Sequence, residues 1–429
     1  MHVFFSGIGG TGIGPLAQVA KQAGYSVSGS DEKDSQYISY LRKGGISDIQ
    51  IGQTREQIAA AHQKQPIDWF VYSSAVSQDS PELVFCGQNQ IKSTKRDEFL
   101  NEILSQRALK LVAVAGTHGK TTTTAMAVWL FKQLKIPISY SVGAKISFGD
   151  MGAFDPQSEY FVYEADEFDR NFLAFHPYVA LITGLGWDHH EIFPTQEDYF
   201  QAFHQFIFQS QWTIMWDEDS DKLSEFKTHR FSFLKYTDTQ IEKIKLAGLY
   251  NRRDGWLVAN AVHELTKEPL EKLLESLSKF PGVSRRFEKL AENLYTDYAH
   301  TPEKITGAMS VAKETAQSAG QKIVVVYEPL TNRRMHHTHF LHRNIFSGTS
   351  AIYWVPSYLA REDPSQPFLT PEELIKSLSP ELQAIARPAK LDANLKESIQ
   401  GHLNSGDLVL CLSGGGGGSL DEWLRAEFR

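Results

Sequence analysis

The run Gly116-Thr117-His118-Gly119-Lys120-Thr121-Thr122 follows an apolar stretch, residues 111–115, and precedes a helix-compatible one. A strand, a glycine loop, a Lys-Thr pair and a helix in that order aim several backbone N–H groups at a phosphate. The lysine ammonium then meets the outer phosphates and the threonine hydroxyl meets a divalent cation. Two further apolar runs end in candidate ligands: residues 160–163 lead into Glu164-Ala165-Asp166-Glu167, and residues 179–183 lead to Asp188-His189-His190-Glu191. Strand ends on one edge of a parallel sheet meet. Thr121, Glu164 and His189 are therefore expected to converge on Mg²⁺, with Mn²⁺ as the alternative, as hard oxygen ligands plus one nitrogen.

A second glycine turn stands at the N-terminus. The apolar pattern of residues 2–8 predicts a strand, followed by the turn Gly7-Ile8-Gly9-Gly10-Thr11-Gly12 and a helix from Pro15 onward. A strand over residues 26–30 then delivers Asp31 about 20 residues beyond the turn, where a doubly wound fold places an acid near a nucleotide's ribose. A third strand, residues 69–72, brings Ser73 and Ser74 to the same edge. On the C-terminal side of the chain, Arg285-Arg286-Phe287, Asp297-Tyr298-Ala299-His300-Thr301-Pro302 and a five-glycine run after residues 407–412 recur among alternating strand and helix patterns. These predict another open α/β unit. The stretch between residue 208 and Asn251 reads as a turn-rich passage.

Positioning so many elements takes a long chain, and 429 residues suggest about three domains. The expected division is 1–108, 109–282 and 283–429. The net charge of −8 disfavours nucleic acid and requires that any phosphate be held by a local grip. Cys86 and Cys411 are too few for a disulfide framework or a thiolate metal cage and are expected as buried thiols. Neither a leader-like start nor a membrane-length apolar run is present, so a cytoplasmic protein without membrane association is expected. The cluster His336, His337, His339 and His342 has no acidic or thiolate partner nearby in sequence and reads as a solvated or substrate-facing helix start.

Taken in order, these motifs resemble the Mur ligase family over nearly the whole chain. The resemblance implies an α/β enzyme of three domains: an N-terminal Rossmann-like domain for a UDP-sugar, a central P-loop ATPase domain with a mostly parallel sheet, and a C-terminal Rossmann-like domain for the amino acid. It implies ATP and Mg²⁺ as cofactors and ligation of L-alanine to the lactyl carboxylate of UDP-N-acetylmuramate through an acyl phosphate. Addition of the murein tripeptide to the same carboxylate is the alternative. Gly116, Thr117, Gly119, Lys120, Thr121 and Thr122 would hold ATP, with Asn251 on the adenine side, Arg286 on the phosphate side and Asp297 on the ribose side. Lys120, His118, Glu164 and His189 would carry catalysis. Gly9, Gly10, Thr11, Gly12, Asp31, Ser73 and Ser74 would bind the UDP-sugar, and His300, Asn332 and Arg333 would line the amino-acid side. The expected state is a monomer or weak homodimer.

Departures bear on the acceptor. Glu328-Pro329-Leu330-Thr331-Asn332-Arg333-Arg334 is closer to family members that add the tripeptide, whereas residues 167–173 look like those that add alanine. Gly184 stands where relatives typically have asparagine, and Tyr250 replaces the histidine of a His-Asn pair. A nucleotide switch without ligation would not need the C-terminal motifs. A nicotinamide oxidoreductase would leave Lys120 and the acidic cluster unexplained.

Overall fold

The computed structural model describes residues 1–73, 76–189, 192–223, 230–360 and 362–428. Three sheets follow one another along the chain. The first comprises β1 (His2–Ser6), β2 (Ser26–Asp31), β3 (Ile49–Ile51), β4 (Trp69–Tyr72) and β5 (Lys92–Lys95), in the order β3-β2-β1-β4-β5. All neighbours are parallel. Covered on both faces, central β1 is buried at every position, while β5, Lys-Ser-Thr-Lys, has the polarity of an edge strand. The order in which strands are added to the sheet reverses at β1, from β2 and β3 on one side to β4 and β5 on the other, so the glycine turn after β1 sits at the switch point where open sheets bind ligands.

The second sheet holds β6 (Lys110–Ala115), β7 (Ser139–Ser141), β8 (Gly152–Ala153), β9 (Tyr160–Glu164), β10 (Val179–Ile182), β11 (Trp212–Trp216) and β12 (Arg230–Leu234). Its order is β12-β11-β10-β6-β9-β7-β8, parallel except for β7 with β8. The passage expected to be turn-rich thus supplies two strands, because the aromatic and β-branched run 212–216 is fully buried beside β10. Asn251, where that passage ends, lies on the helix Leu249–Thr266.

The third sheet is built from β13 (Glu288–Ala291), β14 (Leu294–Asp297), β15 (Ile323–Glu328), β16 (Ala351–Trp354), β17 (Ala386–Pro388) and β18 (Leu408–Ser413). It runs β13-β14-β18-β15-β16-β17, with only the β13–β14 hairpin antiparallel. The chain is thus an α/β protein with mostly parallel sheets.

Two compact units result, one of residues 1–246 and 252–281 and the other of residues 247–251 and 282–429. The first two sheets share the first unit and one apolar cluster, which runs from Val3, Phe5 and Leu16 to Leu111, Phe161 and Phe203. Within it the helix Gly14–Gln22 approaches β8 so closely that a Cβ on Gly152 would overlap the carbonyl of Pro15. In the other unit both faces of the third sheet are covered, one around Val325 and Leu410 and the other around Val324 and Val409. Cys86 and Cys411 are buried free thiols. Among the described residues, no helix is long and apolar enough to cross a membrane.

Candidate nucleotide-binding site

At the end of β6 the chain turns through Gly116 into the helix Lys120–Gln133, whose N-cap is Gly119 in the left-handed conformation, φ 81°. Glycine is required there twice over, since a Cβ would also lie 2.7 Å from a carboxylate oxygen of Asp254. The loop is tied down by its own side chains. Thr117 Oγ1 donates to the Gly186 carbonyl (2.6 Å), accepts from the Gly186 amide (2.7 Å) and contacts Tyr199 Oη (2.9 Å). Thr183 Oγ1 donates to the His118 carbonyl. The His118 side chain is exposed, and Thr122 is half-buried.

Lys120 Nζ donates to the Gly116 carbonyl at 2.7 Å and pairs with Glu167 at 2.8 Å. The Glu167 side chain is fully buried, and His189 Nε2 lies 3.5 Å from it. Burial opposes charge on all three groups, but their mutual attraction wins. Glu167, Asp166 and Glu164 raise the Lys120 ammonium above its ordinary value, and Lys120 and His189 hold Glu167 below the usual carboxylate range. Burial would lower His189, yet Glu167 and Asp188 bring it above the ordinary imidazole value. His189 itself is held at φ 56°, a conformation uncommon outside glycine.

Thr121 Oγ1 donates to Glu164 Oε1 at 2.9 Å, and the Gly143 amide donates to the other carboxylate oxygen at 3.2 Å. The structure therefore brings Thr121 to Glu164, and His189 to Glu167. No group of three or more His, Cys, Asp or Glu able to hold a metal occurs among the described residues. One hydroxyl and one carboxylate beside a glycine loop at a helix N-terminus nevertheless fit Mg²⁺, which keeps waters and binds through one or two carboxylates plus substrate phosphates. His190 and Glu191 lie outside the described residues.

Sequence reasoning passed over two residues. Glu167, three positions beyond Glu164 in the same acidic run, is the partner of the loop lysine. Asp254 lies buried beneath Gly119, and burial pushes its carboxyl up to about 8. Its only signal in the sequence is an acid directly before the apolar residues 255–259.

In the first sheet the Gly9 amide donates to Asp31 Oδ2 at 2.8 Å. Gly10 closes back on the Gly7 carbonyl (3.0 Å), and Thr11 is exposed. A Cβ on Gly12 would overlap Arg96 Nη1. Arg96 is held by Asp97 (3.2 Å) and by Asp166 of the acidic run (3.3 Å). Ser73 is half-buried at the end of β4, and Ser74 lies outside the described residues.

The remaining expected residues belong to the other unit. Asn251 Nδ2 donates to the Ala247 carbonyl at 2.8 Å. Asp297 accepts from the amides of Phe287 (2.7 Å) and Ala299 (2.8 Å); burial raises its carboxyl against the pull of Arg286 and Arg285. His300 is buried with Nδ1 2.8 Å from the Tyr298 carbonyl, and burial, Lys304 and Arg334 push its imidazole down to about 3. Asn332 is also buried, donating to the Pro367 carbonyl (3.0 Å) and accepting from the Leu369 amide (2.8 Å). Its amide thus pins a neighbouring segment. Arg333 is exposed, with its backbone amide on Glu362. Of the four histidines, His342 is buried against Tyr327 and Trp354, which makes it core. The glycine run is approached closely, since a Cβ on Gly414 or Gly415 would press on His300 or Tyr358.

Family models match along the chain: the Mur ligase family catalytic domain at residues 2–108, the Mur ligase middle domain at 114–265, and the Mur ligase glutamate ligase domain at 285–415. The UDP-N-acetylmuramate–L-alanine ligase of Streptomyces griseus is 28% identical, covering 96% of this chain and 94% of its own. The one from Carboxydothermus hydrogenoformans is 30% identical over 80% of this chain and 78% of its own. Among solved structures, the UDP-N-acetylmuramate-alanine ligase MurC of Thermotoga maritima superposes with a TM-score of 0.75 at 24% identity, covering 97% of this chain and 96% of its own. A murein peptide ligase from Psychrobacter arcticus gives 0.65 at 22% identity over the same shares.

Proposed function

The chain belongs to the Mur ligase family, and we propose that within it the protein joins L-alanine to the lactyl carboxylate of UDP-N-acetylmuramate at the expense of ATP. The observation that carries this reading is the Lys120 loop with its paired acids, in a chain whose full-length relatives are alanine ligases. A carboxylate is a poor electrophile. Transfer of the γ-phosphoryl group makes one of its oxygens a leaving group; the free amine of alanine then attacks the acyl carbon, phosphate departs, and an amide and ADP remain.

Each residue's task follows from where charge develops. Lys120, withdrawn from Glu167, neutralises the phosphoryl oxygens, and the amides at the start of the helix Lys120–Gln133 face the same group. Thr121 and Glu164 would hold Mg²⁺, with His189 beside Glu167; the ion supplies Lewis-acid stabilisation of the phosphate oxygens. His118 serves near the reacting carboxylate. Gly9 to Gly12, Asp31, Ser73 and Ser74 hold the UDP-sugar. Asn251, Arg286 and Asp297 serve the nucleotide, and His300, Asn332 and Arg333 the amino acid. The domains divide at 1–108, 109–282 and 283–429, and the enzyme works in the cytoplasm.

One observation favours a second acceptor. The Glu328 to Asn332 turn is closer to tripeptide-adding members, and in it Thr331, β-branched, is held at φ 62°. The deciding experiment measures phosphate release from Mg²⁺-ATP and UDP-N-acetylmuramate with L-alanine, glycine, L-serine or L-Ala-γ-D-Glu-meso-diaminopimelate, with product masses checked. Release with L-alanine is expected; release with the tripeptide alone would replace the first reading by the second.

A further inference from the structure

Three arginines crowd the turn that opens the third sheet, and they are not equivalent. Arg285 donates from Nη2 to the carbonyls of Ser413 (3.0 Å) and Gly415 (2.7 Å) and lies 3.4 Å from Asp421. Arg425, on the C-terminal helix Leu420–Glu427, grips Glu288 with both terminal nitrogens (3.1 and 2.6 Å) and Asp421 with Nε (3.0 Å). Arg286, between them in sequence, has a contact with the Tyr298 ring at 5.3 Å and no ion pair among the described residues.

The backbone around Arg286 is strained on both sides. Arg285 and Phe287 sit at φ 59° and 46°, left-handed values that bulky residues rarely adopt and that persist only where the surroundings dictate them. Two carboxylates do so here. Glu288 accepts the Arg285 amide at 2.8 Å and the Ser284 hydroxyl at 2.9 Å, and Asp297 accepts the Phe287 amide at 2.7 Å. Glu288 is in turn fixed by the two-pronged grip of Arg425, a geometry only a guanidinium supplies.

We propose that Glu288, Arg425 and Asp297 are positioning residues for Arg286: they clamp the strained turn and thereby fix the placement of its one unpaired guanidinium on that turn. This rests on Arg286 serving the nucleotide's phosphate, as read above. It assigns a task to the far C-terminal helix, and it gives Asp297 a backbone-holding role beside its service to the nucleotide.

The test is a kinetic cycle on the whole enzyme with R286M, E288Q, R425M and the R286M/R425M pair, reading kcat and the KM values for ATP and for UDP-N-acetylmuramate. R286M is expected to raise the ATP KM or lower kcat by about tenfold, and E288Q and R425M to approach that effect, because small misplacements of a binding group are costly. The UDP-sugar KM should stay constant, and R425M should add nothing once Arg286 is gone. R425K keeps the charge but not the two-pronged grip and should fall between wild type and R425M, which keeps the test open if R425M folds poorly. ATP kinetics unchanged in R425K and E288Q would overturn the proposal, as would effects that multiply independently in the pair. Unchanged ATP kinetics in R286M would instead overturn the reading of Arg286 itself.

Discussion

The loop around Lys120 and the turn region around His300 are both buried and both rich in ionisable groups, yet they settle their charge in opposite ways. At the loop, Lys120, Glu167 and His189 lie close enough that attraction outweighs burial, and all three are shifted toward their charged forms. In the third sheet burial wins. His300 is pushed down to about 3, while Asp297 and Glu328 are raised, Glu328 despite bonds from Ser413 (2.5 Å) and the Leu420 amide (3.0 Å). A matched cluster keeps its cation charged before any phosphate arrives. A neutral one offers shape and hydrogen bonds instead. Asp254, beneath the loop, follows the second rule in the middle of the first region.

The sharpest way to break the contrast is Lys120→Ala. It removes the cation proposed to meet the phosphate and the counter-charge of a buried carboxylate, so turnover should fall by more than about 10³-fold. Stability should drop by about 3 kcal/mol. Phosphate release that still depends on both substrates would dissolve the site. Next in size, Glu164→Ala should raise the Mg²⁺ concentration needed for half-maximal rate by about 10- to 100-fold; an unchanged Mg²⁺ titration would detach Glu164 from the metal.

Smallest on activity is Asp254→Asn, which tests the exception. Asp254 ionises near 4 in the unfolded chain and at about 8 in the folded one, so the fold loses stability as pH rises through that window. Each unit of difference is worth about 1.4 kcal/mol. The amide side chain of this variant cannot ionise, and its gain in melting temperature should be larger at pH 8 than at pH 5. A gain that does not grow with pH would place Asp254 among the matched groups.

Much of this was legible in the sequence because glycine turns and strand-end acids leave local signatures: Gly119 before Lys120, Asp31 as the last residue of β2, Glu164 as the last residue of β9. What stayed hidden depends on long-range geometry. No spacing distinguishes Glu164, which meets Thr121, from Glu167, which meets Lys120. The strands β11 and β12 were missed because short runs among polar turns carry little periodicity. Asn332 is a residue of recognisable type whose buried amide also bonds the Pro367 and Leu369 backbone, a second task that no local signal announces.

The close seat of the helix Gly14–Gln22 against β8 also sets an order of events during synthesis. A ribosome releases the first sheet with its helices before Gly152 exists, and domains generally begin to fold as they emerge. Until the central sheet arrives, Leu16, Leu104 and their neighbours lack part of the apolar cluster that finally covers them. The apolar face that the central sheet covers therefore stays open to solvent until Gly152 and its strand have been made.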